Sequence, residues 1–418
     1  MDFTLLLPVL VTAVGLFLLI RLRFFFILHP IRTIIEFVRE FKNRDAGRSF
    51  FLALAGTLGV GNIFGVSAGI MIGGAGSLFW LFVSSLFAMV IKYSETLLVF
   101  DSKIDRGGMA VLLKRTFHSI GWLLSAIYAI MMLVLSLFMG GAMQSLAVFD
   151  VAEQSLSVHP IVSAIILMIL LLPCFTHGVR KIEQITEIII PLTTIIYILM
   201  CFMVIFVNYT KIYDVINMII SSAFSFKSAL GGISLVALRE GFARGILSNE
   251  AGVGTSAMAH SVSGNRSPHA AGLFAMCEVV FDSSVLCMLT GFAILVSVPN
   301  ISDFSTPMAL VSAAFDSCLG GISRWLLPAV ILAFAYATMI CWYFYGRECS
   351  ALLFPRLQWV FPFLFIAFVL TSRIIRSENL LYVIDILLLF MSFLTLSVII
   401  KSIPRIEKLS RDALRINK

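Results

Sequence analysis

Apolar runs of about twenty residues, each long enough to cross roughly 30 Å of hydrocarbon, recur from one end of the chain to the other. Eleven can be drawn, at approximately 3–25, 49–73, 76–99, 120–149, 160–178, 185–208, 229–261, 270–297, 325–346, 357–373 and 379–400. Continuous blocks of this kind predict helices that span a membrane, whereas an outer-membrane barrel shows short alternating strands. Two blocks depart from the pattern. The second contains GTLGVGNIFGV, which sets Gly56, Gly59, Gly61, Gly65 and Asn62 at mid-depth with no charge. The seventh is too long for one straight span and holds Arg239, Glu240, Arg244, Asn249 and Glu250 among glycines 241, 245, 252 and 254. Both read as helices interrupted inside the bilayer.

The spacing of the two interruptions suggests an architecture. They stand in the second and seventh spans, so an odd number of crossings makes them run in opposite directions. With the first span set aside, ten spans divide into two groups of five, each beginning with a broken helix. That is the pattern of an inverted-repeat secondary transporter, whose interrupted segments at corresponding positions mark the binding site. The expected organisation is a peripheral span and basic segment over 1–48, a first repeat over 49–209, a second over 210–400 and a basic tail over 401–418.

Composition agrees with a membrane solvent. The chain is 60% apolar and 13% charged, against about 45–50% and about 25% for soluble domains. Its net charge of +7 is not a nucleic-acid footprint, because the basic residues lie between spans, where they report orientation. With the amino end outside, 22 of the 30 Lys and Arg fall on the cytoplasmic side and five outside, with Arg373 and Arg376 among the exceptions. The first span reads as a retained span and not as a secretory signal, since Met1 and Asp2 precede it and its positive charges, Arg21 and Arg23, follow. The expected location is the plasma (inner) membrane, with the carboxyl end cytoplasmic. Seven cysteines form no Cys-x-x-Cys and read as small hydrophobes.

Breaking a helix in oil frees backbone N–H and C=O groups, and each left unpaired is costly. Freed N–H ends favour an anion and freed carbonyl ends a cation. A zwitterionic amino acid carries both charges on adjacent carbons and suits two such breaks facing each other.

The motifs themselves are recognisable. GTLGVGNIFGV, followed by GGAGSLFWLFVSSLFAMVIKYSET and later by ARGILSNEAGVG, resembles the alanine or glycine:cation symporter family. FAYATMICWYFYGREC is similar to a third family motif, and GGAMQS puts Gln144 where that family has a substrate-contacting glutamine. The resemblance implies an all-α, leucine-transporter-like fold with one peripheral helix, which imports small neutral amino acids such as alanine or glycine with sodium or protons and is not an enzyme. It also implies a pocket: Gly59, Gly61 and Asn62 at the first break, Gln144 from the fourth span, Leu247, Ser248 and Asn249 at the second break, and Thr338 and Trp342 from the ninth span. Sodium is expected at Thr338 and at backbone carbonyls near Gly59 and Gly61.

The chain departs from the family pattern at Val60, where a threonine is usual, at Ala75 for a proline, at Thr255-Ser256-Ala257 for Ser-Ala-Pro, and at Leu247 for a phenylalanine. These changes bear on selectivity and leave the backbone logic intact. Other readings of the same residues stand beside this one. The glycines of the first break could form a close-packing face, Gln144 could be an interfacial amide, and Trp342 could belong to an aromatic belt. Lys92 and Glu95, near the end of their span, read as a surface pair. His177, His260 and His269 read as solvated. Arg239, Glu240 and Arg244 read as an internal ion-pair cluster, Glu250 as a cap with Ser248 or Asn249 as N-cap, and Glu278, Asp282 and Asp385 as unpaired groups available for gating or protonation. A channel or receptor would use the same breaks statically, without accumulation. A membrane enzyme would need a nucleophile and base or a metal cluster, and no His-Glu-x-x-His or Gly-x-Ser-x-Gly occurs.

Overall fold

A computed structural model describes residues 5–104, 106–177, 179–224, 234–261, 267–374 and 377–416. Residues 1–4, residues 229–233 of the seventh expected block, and Arg376 lie outside that set, as does the side chain of His177. The described residues are helical, with no strand among them. The chain begins with α1 (Leu6–Arg21) and α2 (Pro30–Phe41). The first broken span is α3 (Arg44–Thr57) and α4 (Val66–Gly73), followed by α5 (Gly76–Asp101) and α6 (Gly108–Thr116). Then come α7 (His118–Leu156), α8 (Pro160–His177), α9 (Val179–Val207) and α10 (Ile212–Ala223). The second broken span is α11 (Leu235–Asn249) and α12 (Thr255–Ser261). It is followed by α13 (Pro268–Ser297), α14 (Pro307–Leu319), α15 (Ser323–Leu353), α16 (Phe361–Thr371), α17 (Ser377–Lys401) and α18 (Ile403–Ile416).

Among the described residues six helices are long and apolar enough to cross a membrane, or seven with the bent pair α3–α4 taken as one span. Three shorter apolar helices, Leu6–Arg21, Pro160–Phe175 and Gln358–Ile374, stand beside them. The bundle is organised around α5, which packs along α11 and α13. Close approach there depends on Gly241 and Gly245, one turn apart on α11. A Cβ at Gly241 would stand 2.5 Å from the Ser77 carbonyl oxygen, and one at Gly245 would collide with the Ser84 hydroxyl. Small residues thus bring backbones together where no hydrophobic drive separates helix from lipid. A second set of contacts joins α15 to α7, α8 and α9.

Segments that the hydrophobic pattern leaves as connections are helical too. On α2, Ile31, Ile34, Ile35 and Val38 are exposed on one stripe while Thr33 is buried, the pattern of a helix lying in a membrane interface. At this end of the bundle α2 and α18 both rest on α13, and one tyrosine gathers them. The Tyr93 hydroxyl of α5 lies 2.8 Å from His269 Nδ1 and 2.9 Å from Ser410 Oγ of α18, and His269 Nε2 is 3.3 Å from Glu36 Oε2 of α2. His269 is therefore buried, contrary to its expected solvation, because two amphipathic helices cover it.

At the opposite end, α4 turns into α5 through Gly74, whose φ of 71° suits glycine alone among common residues. The Gly76 N–H donates to Ser222 Oγ of α10 at 3.0 Å. Ala75, between them, has φ −58°, within the range that proline fixes. Ala75→Pro is therefore expected to preserve the turn and to stabilise the protein by about 0.4–1 kcal/mol through the unfolded chain. The check is the thermal unfolding midpoint in detergent, which rises if the Ala75 N–H has no needed partner and falls otherwise.

Candidate functional site

The first break lies between α3 and α4, whose axes meet at 45°. After Thr57 the chain leaves the helix and re-enters it through a π turn, Gly61–Gly65. Glycine and asparagine lower helix propensity here. Every residue from 58 to 66 is buried, so the freed backbone groups must find protein partners. Asn62 Oδ1 accepts from the Gly59 N–H at 3.1 Å, and Gln144 Oε1 accepts from the Val60 N–H at 3.1 Å. On the carbonyl side the donors come from one face of α15. The Trp342 indole donates to Gly56 O at 3.2 Å, the Cys341 thiol to Leu52 O at 3.2 Å, and the Thr338 hydroxyl to Leu58 O at 3.4 Å.

The second break begins where α11 ends. Glu250 adopts left-handed φ of 56°, Gly252 and Gly254 follow at 83° and 87°, and α12 starts at Thr255. Ser248 and Asn249 therefore close the first half-helix and do not cap the second, because the two positive-φ glycines delay the restart. Lys92 Nζ donates to Asn249 O at 2.5 Å, the Tyr128 hydroxyl donates to Val253 O, and Asn249 Oδ1 accepts from the Ala251 N–H at 3.0 Å. The Glu250 carboxylate accepts from the Thr255 hydroxyl at 2.5 Å.

The two breaks meet. Asn62 Nδ2 donates to Ser248 Oγ at 3.0 Å and to Asp282 Oδ1 at 2.5 Å. Ser248 and Ser283 each donate to Asp282 Oδ2 at 2.7 Å, and the Cys287 sulfur lies 3.5 Å from Asn62 Nδ2. A Cβ at Gly61 would stand 3.8 Å from Leu247 O. Asn249 reaches Ser283 Oγ at 3.1 Å. All nine residues expected from sequence, Gly59, Gly61, Asn62, Gln144, Leu247, Ser248, Asn249, Thr338 and Trp342, thus fall in one contiguous cluster.

Packing and breaking coincide at the glycines of the first break. A Cβ at Gly56 would stand 2.8 Å from the Tyr345 hydroxyl, one at Gly65 3.2 Å from Leu247 Cδ2, and one at Gly59 would collide with the Thr338 hydroxyl. Trp342 is packed onto Gly140 and buried, so it belongs to no aromatic belt, and Gln144 is 1% exposed and no interfacial amide. Asp282, expected to be unpaired, instead accepts from Asn62, Ser248 and Ser283. It and Cys287, expected to be a small hydrophobe, are cluster members that the sequence did not place there. They lie in a π stretch of α13, Val280–Cys287, and no glycine or proline inside it marks the irregularity. The available signal was the polar run Asp282-Ser283-Ser284 inside an apolar block.

Charged groups flank the cluster on both sides. Towards the α10 end, Arg244 pairs with Glu240 at 3.4 Å and with Asp385 at 2.5 Å, and Arg239 pairs with Glu240 at 3.0 Å. Asp385 is paired, therefore, and ties α11 to α17. Towards the α2 end, Glu278 Oε1 meets His260 Nε2 at 2.5 Å, while its Oε2 accepts from Ser256 at 2.5 Å and lies 3.5 Å from Lys92 Nζ. Lys92, Glu95, His260 and Glu278 are all 0% exposed. The expected surface pair and solvated histidine are corrected here: α12, α13 and the second break cover that end of α5, so nearness to a span's end does not bring exposure. Among the described residues no group of three His, Cys, Asp or Glu side chains is arranged to hold a metal ion.

The sodium:alanine symporter family profile matches residues 2–413. The sodium/alanine symporter AgcS of Methanococcus maripaludis is 29% identical over 362 residues, covering 82% of this chain and 79% of that one. The probable sodium/glutamine symporter GlnT of Bacillus subtilis is 29% identical over 356 residues, covering 82% of this chain and 73% of that one. Among solved structures, a manganese transporter of Eremococcus coleocola aligns with a TM-score of 0.54 at 15% identity, covering 84% of this chain and 76% of that one. That likeness is one of fold alone.

Gln144→Leu removes the acceptor of a buried N–H at the first break, and an orphaned buried donor costs about 1–3 kcal/mol. A lowered unfolding midpoint in detergent is expected, and an unchanged one would mean that Val60 finds another acceptor.

Proposed function

Because the chain belongs to the sodium:alanine symporter family, we propose that it imports a small neutral amino acid such as alanine or glycine together with sodium, by alternating access at the two helix breaks. The single observation that carries this reading is the bonding of Asn62, in the first break, to Ser248, in the last turn before the second, and to Asp282. A site assembled from both breaks changes access whenever one moves relative to the other.

The substrate's carboxylate meets the half-helix start at Gly61 and takes over the Gly59 and Val60 N–H groups from Asn62 and Gln144. Its ammonium meets the carbonyl end of α11 at Leu247, Ser248 and Asn249 with the oxygens of Asn62 and Gln144 thereby released. Asp282 supplies a formal negative charge beside that position. Sodium takes hard oxygens, which the Thr338 hydroxyl and the carbonyls near Gly59 and Gly61 offer. Trp342, against Gly56 and Gly140, forms the wall opposite the second break.

In this reading eleven spans form two inverted groups of five, 49–209 and 210–400, after a peripheral region over 1–48 and before a tail over 401–418. The amino end lies outside and the carboxyl end in the cytoplasm, as the basic residues favour. Six or seven spans follow from helix length. The three shorter apolar helices and the joined α11–α12 supply the others. The contacts support two moving bodies, with α5, α11 and α13 packed together and α7, α8, α9 and α15 packed together. The first broken span touches both. The Arg244–Asp385 pair then closes the outer side and the Glu278–His260 pair the inner.

A zwitterion moves no net charge, so only the cation feels the voltage. One charge falling through 100 mV supplies about 2.3 kcal/mol, and a tenfold gradient about 1.4 kcal/mol. Together these support accumulation of a few hundredfold, so one cation per cycle is sufficient.

In proteoliposomes with a sodium gradient, labelled alanine should accumulate above equilibrium, and replacing sodium by choline at fixed pH should stop it. Flux without accumulation would point to a channel. Asn62→Ala should reduce uptake at least tenfold with normal membrane insertion, whereas near-normal uptake would remove Asn62 from the pocket. Unlabelled glycine should compete with alanine more strongly than glutamine does if the pocket is small.

A further inference from the structure

Five ionisable side chains converge beside the second break, on the side away from Asn62: Lys92 and Glu95 of α5, Glu250 at the break itself, His260 of α12 and Glu278 of α13, every one 0% exposed. Three carboxyl groups face one ammonium. Two of the three have partners. Glu278 is held by His260 and Ser256, each at 2.5 Å, with Lys92 at 3.5 Å, and Glu250 Oε2 accepts from Thr255 at 2.5 Å. Glu95 has no side-chain partner: neither of its buried oxygens makes a full hydrogen bond, and only the backbone N–H of Gly252 in the break is directed at the carboxyl, while Glu250 Oε1 is likewise unpartnered.

An ionised carboxylate withdrawn from water with no side-chain donor and at most one backbone N–H is among the costlier arrangements in a protein, and a neutral carboxyl avoids most of that cost. The groups that face Glu95 sharpen the choice. They are Lys92 on its own helix, Glu250 at the break, Glu278 on α13 and Tyr128 on α7, with His260 reaching it through Glu278. If Glu250 and Glu278 are both ionised, Lys92 and a protonated His260 balance those two and no more. A third negative charge at Glu95 would then have no positive partner left.

We propose that Glu95 is a proton-binding site: it holds a proton while α12 is packed against α5 and α13, and exchanges it when α12 moves away. The contacts that must open for this are Ser256–Glu278 and His260–Glu278, both carried by α12. Once they part, water reaches Glu95. The carboxyl O–H bond breaks heterolytically, the proton passes to water and the carboxylate keeps the electron pair. Repacking of α12 requires one proton to be taken back. A proton thus binds one conformation of the broken helix better than the other, which is the condition for biasing the equilibrium between them. The place of this step in a transport cycle rests on the reading above; the protonation itself does not.

Two measurements separate these claims. Infrared spectra of the purified full-length protein should show a carboxylic-acid C=O band that titrates with pH, is lost in Glu95→Gln and is kept, shifted, in Glu95→Asp. Labelled-alanine uptake at constant sodium should fall several-fold as pH rises through neutrality in the wild type, and should be nearly flat in Glu95→Gln, which mimics the neutral carboxyl permanently. A band that persists unchanged in Glu95→Gln overturns the proposal. So does a wild type without such a band, or a Glu95→Gln variant that keeps the wild-type pH profile; in the last case, a changed order of the sodium dependence would make Glu95 a metal-ion ligand instead. If the wild type takes up no alanine at all, the transport reading fails while the infrared band still decides the protonation.

Discussion

A helix opened inside hydrocarbon must have its freed peptide groups answered by side chains, and most of the interior of this protein is arranged around that requirement. At the first opening the answers come from Gln144 on α7 and from Thr338, Cys341 and Trp342 on α15. At the second they come from Lys92 on α5 and Tyr128 on α7. The donors and acceptors belong to helices that run on without a break, so their positions do not depend on the openings themselves. The openings are therefore held from outside themselves, and a displacement of α7 or α15 alters the first site directly.

The openings were legible because they violate composition. Four glycines in an apolar block also suit close packing, but packing alone does not call for Asn62, and the charged, glycine-rich block from 229 to 261 is too long to be one straight span. Positions on uninterrupted helices were legible only by resemblance: Thr338 and Trp342 share a helix face by their spacing, but nothing in that spacing says what the face touches. The misjudged residues have a common cause. Lys92 and Glu95, His260 and His269 all sit near helix ends, and the sequence reading equated a helix end with water. The structure covers those ends with α2, α12, α13 and α18. Of these, α2 and α18 are amphipathic and carry too few apolar residues to stand out beside true spans, while for α12 and α13 the hydrophobic pattern shows a span but not what it packs against.

The π stretches form a second group that pattern did not reveal. Gly61–Gly65, Ser136–Met143 and Val280–Cys287 each border a polar residue of the central cluster: Asn62, Gln144 and Asp282. A wide turn leaves carbonyls less tightly paired and rotates the residues after it, which is a means of aiming a side chain inwards from an otherwise regular helix. Each carries some mark in composition, namely the glycines of the first, Gly140-Gly141 in the second and the polar run Asp282-Ser283-Ser284 in the third. Glycine pairs and short polar runs also occur in regular helices, so only in the first, where several glycines and an asparagine fall together, does residue type announce an irregular backbone.

Tyr93 has a consequence beyond local burial. Its single hydroxyl joins α5 to α13 through His269 and to α18 through Ser410, and His269 continues to Glu36 on α2. Segments near both ends of the polypeptide are thereby clasped to the same pair of core helices. Any tilt of that pair must carry both amphipathic helices with it, so whatever the exposed apolar stripe of α2 rests on becomes a mechanical input to the protein's motion.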